Sequence, residues 1–165
     1  MYEHHILVID DDLLSSHALK EHLGLEGYRV TVANSCAQAE ELLGSTIHVD
    51  LVILDYLLPD GHGTGLLRTM ATDHALQKPF VVMSSAFIEP GSRSWEELRL
   101  RLPESVRSLI RAYVCKPYSF DSMDAMVNLI LSSPSRKPTR TQEVRSGDYE
   151  PLYPTSSPRP QHQIN

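Results

Sequence analysis

Residues 6–9 (ILVI), 51–54 (LVIL) and 80–83 (FVVM) are apolar at every position, and this feature constrains the fold most. A strand with one wet face alternates apolar and polar residues. An uninterrupted apolar strand needs cover on both faces, as in a parallel sheet between helix layers. Two further β-rich runs, 28–33 and 112–115, extend the series to five. The intervening segments have helical signals. Residues 13–25 carry apolar side chains near one face and run into Gly24 and Gly27. Ser35 to Gln38 has capping-box spacing and opens a helix that Gly44 ends. Residues 66–76 follow a glycine-rich turn, and a last helix starts near Ser119 and carries Met123, Met126, Val127 and Ile130. Strand–helix alternation of this kind predicts an α/β fold, (βα)5, with a doubly wound parallel five-stranded sheet.

Composition agrees with one domain. Of 165 residues, 41% are apolar and 22% charged, which suits a globular core. The boundary is predicted near residue 131. Residues 1–131 hold 10 basic and 18 acidic side chains, hence 10 − 18 = −8; residues 132–165 hold 5 and 3, hence +2. That second stretch carries six of the eleven prolines and few aliphatics, so it reads as a disordered Pro/Ser/Arg-rich tail too poor in apolar surface to fold. The domain's acidity argues against direct DNA binding, and no apolar run is long enough to span a bilayer. The first residues lack a charged leader and a long apolar stretch, and Cys36 and Cys115 form no CxxC pair. A reduced, cytoplasmic setting is expected.

In doubly wound sheets, ligands sit beyond the carboxyl ends of the strands. Here the first strand ends in Asp10-Asp11-Asp12, the third in Asp55, the fourth in Ser84-Ser85-Ala86 and the fifth in Lys116-Pro117. Each residue alone has an ordinary explanation: aspartates and serines cap helices, and Lys-Pro makes turns. Together they place carboxylates, a hydroxyl and an ammonium on one rim. Clustered carboxylates demand a cation or a proton, and an oxygen-only ligand set suits Mg²⁺. The hydroxyl and the ammonium complete a site for a phosphoryl group.

Over residues 5–131 the chain resembles the receiver domain of two-component response regulators. VIDDD, LVILDYLLPDGHG, Ser85-Ala86 and Lys116-Pro117 carry the likeness, with 44 residues from Asp11 to Asp55 and 30 from Asp55 to Ser85. The resemblance implies a flavodoxin-like strand order, 2-1-3-4-5. It implies that Asp55 accepts a phosphoryl group from a histidine kinase or histidine phosphotransfer protein. It also implies Mg²⁺ held by Asp10, Asp11, Asp55 and the backbone carbonyl of Leu57. Ser85 would bond the acyl phosphate, Lys116 would pair with its oxygens, and Tyr113 with Ser85 would form the switch. The Lys116–Pro117 peptide is expected to be cis. Output would pass to another protein, through the face formed by residues 87–118.

Departures from the family pattern sharpen the expectations. Leu57 and Phe87, two residues beyond Asp55 and Ser85, are both apolar and should hinder an in-line water. The stretch from Ser85 to Lys116 is longer than usual, and its excess lies in residues 87–111. Trp95, Leu98 and Leu102 share a helical face there, and Pro103-Glu104 starts a further turn or helix. This is either an enlarged fourth helix packed on the domain or a modified partner surface. The glycines between Asp60 and Gly65 read as a mobile loop, the eight histidines as dispersed and solvated, Cys36 as a thiol near a helix start and Cys115 as a buried strand residue. The alternatives are a haloacid-dehalogenase-type phosphatase with Asp10 as nucleophile, which leaves Asp55 without a role, and a phosphorylation-independent scaffold on the receiver fold.

Overall fold

The computed structural model describes residues 4–87 and 92–132. Strands β1 (His5–Ile9), β2 (Arg29–Ala33), β3 (Leu51–Asp55), β6 (Phe80–Ser85) and β7 (Ile110–Cys115) form one parallel sheet in the order β2-β1-β3-β6-β7. Two short strands, β4 (Leu57–Leu58) and β5 (Gly61–His62), pair antiparallel in a separate hairpin. Helices α1 (Leu13–Leu25), α2 (Cys36–Leu43), α3 (Gly63–Thr72), α4 (Arg93–Arg101), α5 (Glu104–Arg107) and α6 (Phe120–Ser132) fill the connections. Counted within the main sheet alone, the order is the expected 2-1-3-4-5.

The apolar runs feed two cores. Leu7, Ile9, Val52, Leu54, Val81 and Met83 point to the side covered by α2, α3 and α5. Ile6, Val8, Leu51, Ile53 and Val82 point to the side covered by α1 and α6. Because side chains alternate across a strand, only continuous apolar runs can serve both layers.

Helix starts follow the caps. Asp12 caps α1: Oδ1 accepts from the N–H groups of Leu14 and Ser15, and Oδ2 accepts from the Ser15 hydroxyl. Ser35 caps α2 through the Gln38 N–H, and the Gln38 side chain reaches back to the N–H of Asn34. Helix α3 departs from the expected 66–76; it begins at Gly63 and ends at Thr72. The enlarged connection resolves into α4, a break at Leu102-Pro103, and α5, whose Val106 is buried beside Leu102 in the α3 core. The bounds of α6 take in Ser132, and the tail lies outside the described residues from 133 onward.

His4 and His22 are half-buried rather than solvated, whereas His48 is exposed as expected. His48 and His4 flank Asp50, and His22 pairs with Asp124. His5 is buried at the start of β1. Its Nδ1–H donates to the His48 carbonyl, 2.8 Å away, so Nε2 of the neutral ring accepts from the Thr31 hydroxyl at 2.9 Å. Burial holds its pKa below 6.5, although the bond to the His48 carbonyl works the other way. The folded state therefore resists protonation. His5 costs no stability above about pH 6.5, and stability falls as pH drops from there toward the lowered folded value. The slope is at most about 1.4 kcal/mol per pH unit. Urea titrations at pH 7.5 and 5.5 should show a smaller loss for His5→Gln than for the parent.

Candidate functional site

Four strand ends converge on one rim. Asp10 follows β1 and is 4% exposed; its Oδ1 accepts from the Asp12 N–H at 3.0 Å. Asp11, next to it, is exposed. Asp55 closes β3, and its Oδ1 accepts from the Leu57 N–H at 3.3 Å. From the end of β7, Lys116 donates to Asp10 Oδ2 at 2.7 Å and to Asp55 Oδ2 at 2.5 Å. The Lys116 backbone N–H donates to the Ser85 carbonyl, fixing the lysine beside β6, and the Lys116–Pro117 peptide is cis as expected. Ser85 is buried, and its Oγ accepts from the Phe87 N–H at 3.0 Å.

The charges are unequal. Carboxylate oxygens of Asp10, Asp11 and Asp55 lie within 4.8 Å of one another, against the single Lys116 ammonium that bridges two of them. Three negative charges and one positive leave a formal deficit of two, and the donors are all oxygen. That set fits a divalent hard cation. Burial raises the pKa of Asp10, while the Lys116 hydrogen bond pulls it back. Burial works to lower the pKa of Lys116, but its bonds to Asp10 and Asp55 outweigh this and raise it, so the ammonium persists at neutral pH.

Beside these groups opens a pocket of about 260 Å³, lined by Asp11, Asp55, Leu57, Ala86, Phe87 and Lys116 among others. Asp55 thus faces solvent-accessible space. Asp10, buried behind Lys116, does not line the pocket. Tyr113, paired in register with Met83, is half-buried in edge contact with Trp95 of α4. Burial pushes its hydroxyl pKa up. A void of about 10 Å³ is bordered by Ser85, Trp95 and Tyr113.

The loop from Asp60 to Gly65 corrects an expectation. It is an ordered hairpin running into α3, tied to α2 by Asp60, whose two carboxylate oxygens accept from the N–H groups of Cys36 and Ala37 at 2.8 and 2.9 Å. No local signal marks Asp60 as a cap, because the helix it caps begins 24 residues earlier. The same carboxylate settles Cys36: burial first, then Asp60, pushes the thiol up to about 11, so it is not activated. Cys115 is half-buried. Gly63 was also missed as a site residue. Its N–H donates to the Tyr56 carbonyl at 2.8 Å, and a Cβ there would collide with the carbonyl oxygen of Asp55.

Residues 6–94 match the response regulator receiver domain family, and the chain belongs to it. The match ends where the enlarged connection enters α4. The two-component response regulator ORR11 of Oryza sativa subsp. indica is 37% identical over 82 residues, 49% of this chain and 56% of that protein. The transcriptional regulatory protein CpxR of Escherichia coli K12 is 32% identical over 126 residues, 76% of this chain and 48% of that protein. The chain spans about half the length of these curated relatives. Among solved structures, a two-component response regulator from Clostridium difficile aligns with a TM-score of 0.65 and 24% identity, over 78% of this chain and 96% of that one. The Francisella response regulator 1452 receiver domain aligns at 0.63 and 25%, with the same coverages. Membership of the family and the sheet order together displace the phosphatase alternative. Among the described residues, no helix is long and apolar enough to cross a membrane.

Proposed function

We propose that this chain is a response regulator that accepts a phosphoryl group on Asp55 from a histidine kinase or histidine phosphotransfer protein and signals through a partner protein. The supporting observation is the Asp55 carboxylate lining the pocket, with Lys116 on one oxygen and the Leu57 N–H on the other. These two contacts set the carboxylate plane before a donor arrives. As an Asp55 oxygen bonds to phosphorus, the P–N bond of the donor breaks and its imidazole leaves with the electron pair. Lys116 then faces the new phosphoryl oxygens, and the Ser85 hydroxyl at the end of β6 would donate to them. Asp10, Asp11 and Asp55, with the Leu57 carbonyl, would hold Mg²⁺, which when bound supplies positive charge to the transferring group. The switch is the added phosphoryl charge, read at Ser85 and Tyr113. The contact between Tyr113 and Trp95 links that switch to α4, inside the 87–118 face proposed for the partner. The protein catalyses only its own phosphorylation and dephosphorylation.

The test is to treat the protein with acetyl phosphate and Mg²⁺ and locate the label by peptide mapping. Label on Asp55 is expected. Label on Asp10, or no label, overturns the reading.

Leu57 and Phe87 bear on how long the phosphoryl group lasts. Both line the pocket with apolar side chains that can neither accept from nor donate to a water beside the phosphoryl group. Spontaneous dephosphorylation should therefore be slow, with a lifetime well beyond seconds. Leu57→Asn with Phe87→Gln should shorten it on the order of tenfold, because each introduces a group that can orient water. Decay of the isolated phosphoprotein, followed by loss of label, measures both.

A further inference from the structure

A second cluster of metal-binding side chains lies where α1 and α6 meet, and it shares no residue with the Asp55 site. His22 and Glu26 stand four positions apart, Glu26 at the C-cap of α1, and Asp124 faces them from α6. Their ligand atoms all lie within 4.8 Å of one another. His22 Nε2 is 2.6 Å from Asp124 Oδ2. Phe120 stacks on the imidazole at 4.5 Å and 12°, which holds the ring in that orientation.

An independent observation points to a ligand here. The second oxygen of Asp124, Oδ1, is buried and has no hydrogen-bond partner. A buried carboxylate oxygen without a donor is costly. The nearby hydroxyl of Tyr28 does not supply the bond, because it donates to Asn128 Oδ1 at 2.6 Å. Glu26 adds a further negative charge, which favours a cation over a neutral donor beside Asp124 Oδ1.

We propose that His22, Glu26 and Asp124 form a divalent transition-metal site, of zinc class, that pins α6 to α1. One imidazole nitrogen and two carboxylates select zinc, cobalt or nickel over Mg²⁺, the reverse of the all-oxygen rim at Asp55. Three protein ligands leave a position for water. Binding uses the Nε2 lone pair, so the hydrogen bond between His22 and Asp124 opens, the neutral ring keeps its one proton on Nδ1, and Asp124 Oδ1 meets the metal. The site stands whether or not Asp55 is a phosphoacceptor.

The test uses the full chain without a histidine tag, in saturating Mg²⁺. Zn²⁺ is titrated calorimetrically, and Co²⁺ by visible absorption. One Zn²⁺ should bind, with a rise in Tm. His22→Gln and Asp124→Asn, checked for native circular dichroism, should each weaken binding about tenfold or more. Asp11→Asn should leave it unchanged. His22→Gln keeps a donor toward Asp124, so the fold is expected to survive. Absence of binding to the parent, or equal affinity in parent and His22→Gln, overturns the proposal. Equal affinity would assign the metal to other histidines, such as His4 and His48, and loss in Asp11→Asn alone would assign it to the Asp55 rim.

Discussion

The Asp55→Asn protein is expected to take up no phosphoryl label from acetyl phosphate in Mg²⁺, under conditions that label the parent fully. The amide is close to isosteric with the carboxylate but has no anionic oxygen to attack phosphorus. The fold should persist. Lys116 keeps its bond to Asp10 Oδ2, and the amide oxygen can still accept from Lys116 where Oδ2 did. One of three crowded carboxylates also becomes neutral, which relieves repulsion. The net change in unfolding free energy is expected to be small, about 1 kcal/mol in either direction. Urea unfolding alongside the labelling separates a lost nucleophile from a lost fold. Labelling of the variant at the parental rate would sink the assignment of Asp55, and an unfolded variant would be visible in the same experiment.

The main sheet was legible in the chain because its signal is local. Ile6 to Ile9 and Leu51 to Leu54 are apolar on both faces, and both faces prove buried. The rim was legible for a related reason: in a parallel sheet every strand ends on the same side, so residues after successive strands must meet. The features that were not legible depend on distant partners. Asp60 caps a helix begun 24 residues before it, so its role is invisible to any local pattern. The glycines around it read as mobility, yet the segment is held at one end by Asp60 and at the other by Gly63 against the Asp55 backbone. His22 stands alone in sequence, and its partner Asp124 lies 102 residues away on α6. Helix α5 was foreseeable at Pro103-Glu104, but its packing of Val106 against the α3 side was not, since a four-residue helix carries too little periodicity to show a face.

Gly63→Ala is expected to damage both stability and phosphorylation, whereas Gly65→Ala, two residues on, should do neither. The contrast rests on what a methyl group would meet. At Gly63 the added Cβ would overlap the Asp55 carbonyl oxygen and press on Leu54 Cγ at 3.1 Å. The oxygen belongs to the main chain of the central strand β3, which is paired on both sides, so it cannot turn aside as a side chain would. Either α3 retreats and loses the bond from the Gly63 N–H to the Tyr56 carbonyl, or β3 shifts at its last residue. Overpacking of this kind costs about 1–3 kcal/mol. Displacing Asp55 by even a fraction of an ångström also spoils its alignment with Lys116, and a 1 Å error in a reacting group can cost on the order of a hundredfold in rate. At Gly65 nothing lies within 4 Å of the added methyl, and the residue sits inside α3, so alanine's helix propensity should add up to about 1 kcal/mol of stability. Urea midpoints and labelling rates of the two variants check the pair. Normal labelling by Gly63→Ala would mean that the approach of α3 to β3 does not position the phosphoacceptor, and that Lys116 and the Leu57 N–H hold it unaided.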